Sequence, residues 1–337
     1  MSLSTLHRLT EEKSKQLSKF LGIDSVPSTN VLPDDILEKI VKKYKTIFKI
    51  KYKLKDWIPP EKLDWWNLSS NPNAIELLKA NIHLDLKIDW SYLSSNPNPE
   101  AIELLKANPS KIDWKYLSLN PNPYAIELLN KNPKNIDWEF LSRNSNAIEL
   151  LKANPDKIDW KWLSSNKSQY AIELLKANPS EIDWEYLSLN PNPYAIELLN
   201  TNPENIDWEY LSLNPNAIEL LKENLVNIVW FNLSANPSAI ELLNANPDKI
   251  NWYGLSRNPN AIELLKTNQD KINWFWLSLN PNPEAIELFK ANPEYINWSW
   301  LSKNPNPEAI ELLKENQKKI DWQMLAKNPS IFDEILE

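Results

Sequence analysis

Cysteine is absent from this chain, and histidine, glycine and methionine occur only twice each. Without cysteine there are no disulfides and no thiolate chemistry, which fits a reducing compartment. His7 and His83 stand alone, so neither a His-based metal set nor an acid–base pair can be assembled. Gly22 and Gly254 cannot supply a glycine-rich phosphate loop. No run of about 18 apolar residues is present, which predicts no membrane insertion. The opening residues carry no secretory-type apolar stretch, so the expected location is intracellular or within a particle, not secreted. These absences point to a protein that is not an enzyme and uses no cofactor and no metal.

What the chain does have is a repeat. An aliphatic residue, Asp or Asn, Trp, two variable residues, Leu, usually Ser, one variable residue and Asn recur twelve times, anchored at Trp65, Trp90, Trp114, Trp138, Trp160, Trp184, Trp208, Trp230, Trp252, Trp274, Trp298 and Trp322. The anchors, numbered here as units 1 to 12, are mostly 22 or 24 residues apart. Such a period is the mark of an array in which each unit packs only on its neighbours.

The unit beginning at Ile112 shows why it is helical. Asp113 is placed to cap a helix starting at Trp114, and Ile112 stands where a hydrophobic staple would reach Leu117. The Asn six residues after each Trp ends this short helix. In units such as Asn71-Pro72 a second helix, Ala74-Ile75-Glu76-Leu77-Leu78, follows directly, with Glu76 and Lys79 on its wet side. The 24-residue units insert two residues, as in Asn96-Pro97-Asn98-Pro99, which reads as a longer loop. A further Asn closes the second helix, and its tolerance of left-handed backbone suggests that geometry there. Leucine-rich repeats share the period, but their strand needs Leu at a spacing of two, whereas Trp114 and Leu117 are three apart. The expected fold is therefore all-α: an α-solenoid of about twelve two-helix repeats over residues 63–337, including a C-terminal capping repeat, behind a helical N-terminal cap region at 1–62. At ~8–10 Å per unit, an open stack would form a rod of roughly 100 Å.

A lone unit buries too little to fold, so the anchor tryptophans, from Trp90, Trp114, Trp138, Trp160 and Trp184 through Trp208, Trp230, Trp252, Trp274 and Trp298, are expected to pack as the repeat core. The position two after the anchor is aromatic in eight units: Tyr92, Tyr116, Phe140, Trp162, Tyr186, Tyr210, Trp276 and Trp300. Where it is Asn67, Asn232 or Gly254, a ring appears one residue earlier as Trp66, Phe231 or Tyr253. These rings either pack between repeats or form a ridge that faces a protein partner. Val229 stands where the other units have Asp or Asn, which predicts a frayed helix start.

Charge is unevenly divided. Residues 1–62 hold 13 Lys and Arg against 8 Asp and Glu, and the array holds 24 against 37, net −13. An acidic array argues against nucleic acid, unless its cations gather on one face. Lys42 to Lys55, with seven Lys and no acid, reads as the solvated side of the cap.

The unit Ile-Asp-Trp-x-x-Leu-Ser-x-Asn-Pro-Asn-Ala-Ile-Glu-Leu-Leu, with the lead-in Tyr52 to Pro60, resembles the tryptophan-containing repeat proteins encoded in many copies by large DNA viruses of algae and amoebae. The resemblance covers roughly residues 50–330 and implies a viral origin and a repeat architecture. Leu32 to Ile40 is similar to the opening of an F-box. From these, the expected function is a protein–protein interaction scaffold. The alternatives are a structural component of a virus particle, an F-box-like substrate adaptor, and a single-stranded nucleic-acid-binding repeat protein.

Overall fold

The computed structural model describes residues 50–83 and 88–336. The helices expected within 1–49 and the F-box-like stretch lie outside the described residues. The chain divides into two compact units, one of residues 57–331 and one of residues 1–56 with 332–337.

The larger unit is the predicted α-solenoid. Each repeat has a short first helix, such as Trp114–Leu119, a second helix, such as Pro123–Lys131, and a single turn of 3-10 helix, such as Pro133–Asn135. The staple and cap form as expected: the Asp113 carboxylate accepts from the Tyr116 N–H at 3.1 Å, and Ile112 is buried. At Val229 the side-chain cap is missing, yet the helix still begins at Trp230 and runs to Ala235, so the expected fraying is not seen. The Val229 N–H is still held by Ser212 Oγ at 3.0 Å, as the cap residue is in the neighbouring units.

Two local expectations are corrected. The two-residue insertion lengthens the second helix, not a loop. Pro99–Ala107 gains a first turn capped by Asn98, whereas Ile148–Ala153, in a 22-residue unit, starts without a side-chain cap. Proline at the first helical position suits that added turn because its missing N–H would find no partner there anyway. The Asn residues that end the helices are not left-handed: Asn96 has φ −69° and Asn108 has φ −131°. Their role is hydrogen bonding, with Asn108 Nδ2 donating back to the Leu104 carbonyl at 2.9 Å.

The core of each interface combines apolar packing with a buried polar ladder. The Leu three after each Trp is fully buried in all twelve units, and so, to within a few per cent, are the Asn six after and the residue four after, which is Ser except at Ala326. Asn120 shows the pattern. Its Nδ2 donates to the Ser94 and Asn96 carbonyls of the preceding unit at 2.8 and 2.9 Å, and its Oδ1 accepts from the Asn122 N–H at 2.9 Å. Ser118 Oγ donates to the Trp114 carbonyl and accepts from the Asp137 N–H of the following unit at 3.0 Å. Buried amides are costly unless satisfied, so a fully bonded Asn at a fixed place sets the register of one unit on the next.

The ladder does not stop at the last unit. Asn71 of unit 1 donates to the Ala326 and Asn328 carbonyls of unit 12, both at 3.1 Å, as Asn120 does to its predecessor. Asn73 Nδ2 reaches the Pro329 carbonyl at 3.1 Å, the counterpart of Asn98 on Pro72. Asn67 donates to the Gln323 carbonyl as Asn232 does to Glu209. Residues 57–331 thus form a closed ring of twelve units, and the expected open rod is corrected: the ~100 Å contour is a perimeter. The seam lacks one bond, because Ala326 stands where a Ser hydroxyl would meet the Asp64 N–H, as Ser69 meets the Asp89 N–H. Neighbouring first helices pack more closely than neighbouring second helices. In a closed ring the crowded layer is the inner one, so the first helices form the concave side.

In the smaller unit, β1 (Ile50–Leu54) pairs antiparallel with β2 (Phe332–Leu336), placing Tyr52 opposite Glu334. Lys55 Nζ reaches Asp333 Oδ1 at 2.6 Å. The described part of the basic stretch is therefore a strand, and the chain's last residues, read as part of a capping repeat, are its partner.

Candidate functional site

The first helices turn Leu and Ser toward the second helices. At 100° per residue this sends the positions one, two and five after each Trp to the opposite, concave face. These are the positions at which the units differ most, and the eight candidate partner-binding aromatics lie among them.

Those rings do pack from unit to unit. Tyr92 meets Tyr116 edge-on at 6.4 Å between centroids, Tyr116 meets Phe140 at 6.3 Å, and Trp162 meets Tyr186 at 5.3 Å. Trp276 touches Tyr253 at 5.3 Å, and Trp300 touches Phe275 at 5.7 Å. The rings are also exposed or half-exposed, so the two readings of the sequence describe one surface. Cations from neighbouring positions lie over them: Lys115 over Phe140 at 4.6 Å, Lys161 over Tyr186 at 5.1 Å, Arg143 over Trp162 and Arg257 over Trp276. Trp162 donates its indole N–H to Glu139 at 3.0 Å. The Tyr210 hydroxyl is hydrogen-bonded to Glu185, which, with that carboxylate's charge, raises its pKa above the usual value. Leu119, Phe140, Arg143 and Trp162 line a crevice of about 20 Å³, room for roughly one water.

The compensating rings have a geometric cause. Asn67 and Asn232 are buried and bonded to the preceding backbone, and an added Cβ at Gly254 would stand 2.6 Å from the Phe231 carbonyl oxygen. No ring fits there, so it moves one residue earlier, where Phe231 and Tyr253 meet at 5.7 Å and remain exposed.

The anchor tryptophans are half-buried, so they edge the core without being sealed in it. A cation from the following unit covers several of them: Lys157 over Trp138 at 5.0 Å, Lys271 over Trp252 at 4.8 Å and Lys319 over Trp298 at 4.5 Å. Lys62 over Trp322 at 5.0 Å repeats this contact across the seam. At Trp274 the cover is Tyr295, stacked at 4.8 Å. The covering residue stands three before the next Trp, a spacing readable in the sequence, but its target only appears once the units stack.

On the convex side the repeated Glu pairs with the Lys three later, as in Glu103–Lys106 at 2.9 Å and Glu287–Lys290 at 2.7 Å. Exposed pairs of this kind add little stability. Among the described residues, no group of three or more His, Asp or Glu could hold a metal ion, and no helix is long and apolar enough to cross a membrane. Comparison with protein-family models, with curated proteins and with solved structures finds no match.

Proposed function

We propose that this protein is a non-enzymatic scaffold that holds protein partners on the concave aromatic face of its ring. One observation carries the reading: residues that vary between units collect on a single exposed face rich in Tyr, Trp, Phe, Lys and Arg, while the buried ladder and core repeat almost unchanged. Aromatic residues and Arg supply most of the energy in protein interfaces, and a rigid framework holds them without an ordering cost on binding.

A second reading, single-stranded nucleic acid stacked on the rings, draws support from six cations on this face (Lys115, Arg143, Lys161, Arg257, Lys303 and Lys327) against Glu139, Glu185 and Glu209. Four of the six already lie over rings, and the face is net +3 in an acidic array, little to set against a phosphate backbone.

The test is affinity purification with the full chain and with a Tyr116→Ser/Phe140→Ser/Trp162→Ser variant, each shown by circular dichroism to keep its helices. Proteins enriched by the native chain and lost with the variant are expected. Identical capture by both, or retention of labelled single-stranded RNA and of no protein, would overturn the proposal.

A further inference from the structure

An ammonium or a second ring covers the anchor indoles of Trp138, Trp252, Trp274, Trp298 and Trp322, but three consecutive units have neither kind of residue in the covering position. The residues at that position over Trp160, Trp184 and Trp208 are Glu181, Asn205 and Asn227, and no cation among the described residues lies over these three half-exposed rings. The sister units show what this pocket takes. Over Trp138, Trp252, Trp298 and Trp322 the same place holds a Lys Nζ at 4.5–5.0 Å from the ring.

The same arc is where the negative charge is concentrated. Between Lys176 and Lys249 the chain has eleven Asp and Glu and a single Lys, Lys222, a net of −10 out of the −13 of the whole array. Lys222 is taken by Glu219 at 2.9 Å and Glu241 at 4.0 Å. Exposed Glu181 is itself the residue at the covering position of Trp160, and exposed Glu204 adjoins Asn205 at the covering position of Trp184. Asn135 leaves Trp114 uncovered in the same way, but there Lys134 is its neighbour and the acidic surroundings are missing.

We propose that the arc spanning Trp160, Trp184 and Trp208 docks a Lys- or Arg-rich segment of a protein partner, whose cations occupy the three indole faces that the ring's own lysines fill elsewhere. This rests on the scaffold reading and names the chemistry of one of its partners. Cation–π attraction supplies the contacts and the acidic arc supplies the long-range steering. The spacing sets the register: neighbouring units lie ~8–10 Å apart, and an extended or polyproline-like chain advances about 9–10 Å in three residues, so a cation at every third position meets one tryptophan per unit.

The experiment uses the full chain and two fluorescein-labelled peptides of identical composition, one with Lys at every third position and one with its lysines contiguous. A Glu181→Lys/Asn205→Lys/Asn227→Lys variant places the ring's own cations over the three indoles. A Glu197→Lys/Glu219→Lys variant changes net charge by the same amount at exposed positions on the convex Glu row, away from them. The spaced peptide is expected to bind the native chain more tightly than the contiguous one, to lose about ten-fold or more in affinity for the first variant, and to lose only a few-fold for the second. Equal losses in the two variants, equal affinity of the two peptides, or no binding of either to the native chain would overturn the inference. Partner capture that still depends on Tyr116, Phe140 and Trp162 would then leave the scaffold reading standing, whereas loss of both results removes both.

Discussion

Each buried Asn in the ladder does at a single residue what a strand edge does in a sheet: it presents two donors and an acceptor at a fixed height. Asn190 donates to the Ser164 and Asn166 carbonyls at 2.9 and 3.0 Å and accepts from the Asn192 N–H at 3.0 Å, with almost no exposure. Replacing it with Ala removes three bonds and strands two buried carbonyls. Asn190→Ala is expected to lower unfolding free energy by about 2–4 kcal/mol in urea titration, well above the ~0.5 kcal/mol of an ordinary surface change. A loss below about 1 kcal/mol would mean that the ladder is ornamental and that packing alone carries the interface. Serine contributes differently, since one hydroxyl, that of Ser164, donates to the Trp160 carbonyl of its own helix and accepts from the Asp183 N–H of the next unit's cap.

At the scale of elements, the short first helix survives because its two ends are satisfied from outside. An Asp or Asn cap and an aliphatic staple open it, and the neighbouring unit's Ser takes the cap's own N–H. A helix of four to six residues has no stability of its own in water, so these elements exist only in the stack. The strand pair behaves differently, because it carries a titratable group. Burial, then the charge and hydrogen bond of Glu334, hold the Tyr52 hydroxyl above its ordinary pKa of 10.0. A raised pKa in the folded state means that the neutral phenol is favoured there. Its contribution is complete below the unfolded value and is lost as pH rises through the folded one. Absorbance titration should therefore show two late-ionising tyrosines, Tyr52 and Tyr210, of which Tyr52→Phe removes one. A Tyr52→Phe titration curve that matches the native one would refute the assignment.

For the repeat array as a whole, closure changes what the ends must do. An open array frays from terminal units and needs polar caps, but here Asn71 of unit 1 supplies to unit 12 the paired amide bonds that most units supply to their predecessors. The seam is short of one hydroxyl at Ala326, just as the interface of units 4 and 5 is short of one amide bond where Asn166 reaches only the Ser142 carbonyl. Asn71→Asp puts a carboxylate against the Ala326 and Asn328 carbonyls in place of two donors. The expected result is an opened seam, seen as a larger radius of gyration in small-angle X-ray scattering and faster amide exchange confined to units 1 and 12. Asn190→Asp, deep in the array, is the comparison. If both variants lower stability equally without expansion, the seam is no different from any other interface.

The helical repeat, its caps and staples, the convex Glu–Lys pairs and the candidate aromatic positions were all legible in the linear chain, because each depends on residues within one turn or one unit of each other. Asn as a ladder residue was not legible: its partners are carbonyls 22 to 27 positions earlier, and nothing in its immediate neighbours distinguishes a donor across an interface from a helix stop. The concave side, the lysines over the tryptophans and the ring itself were likewise decided only in three dimensions. Curvature is the sum of twelve small rotations, and whether that sum brings Asn71 back to Asn328 depends on packing angles that no single repeat encodes.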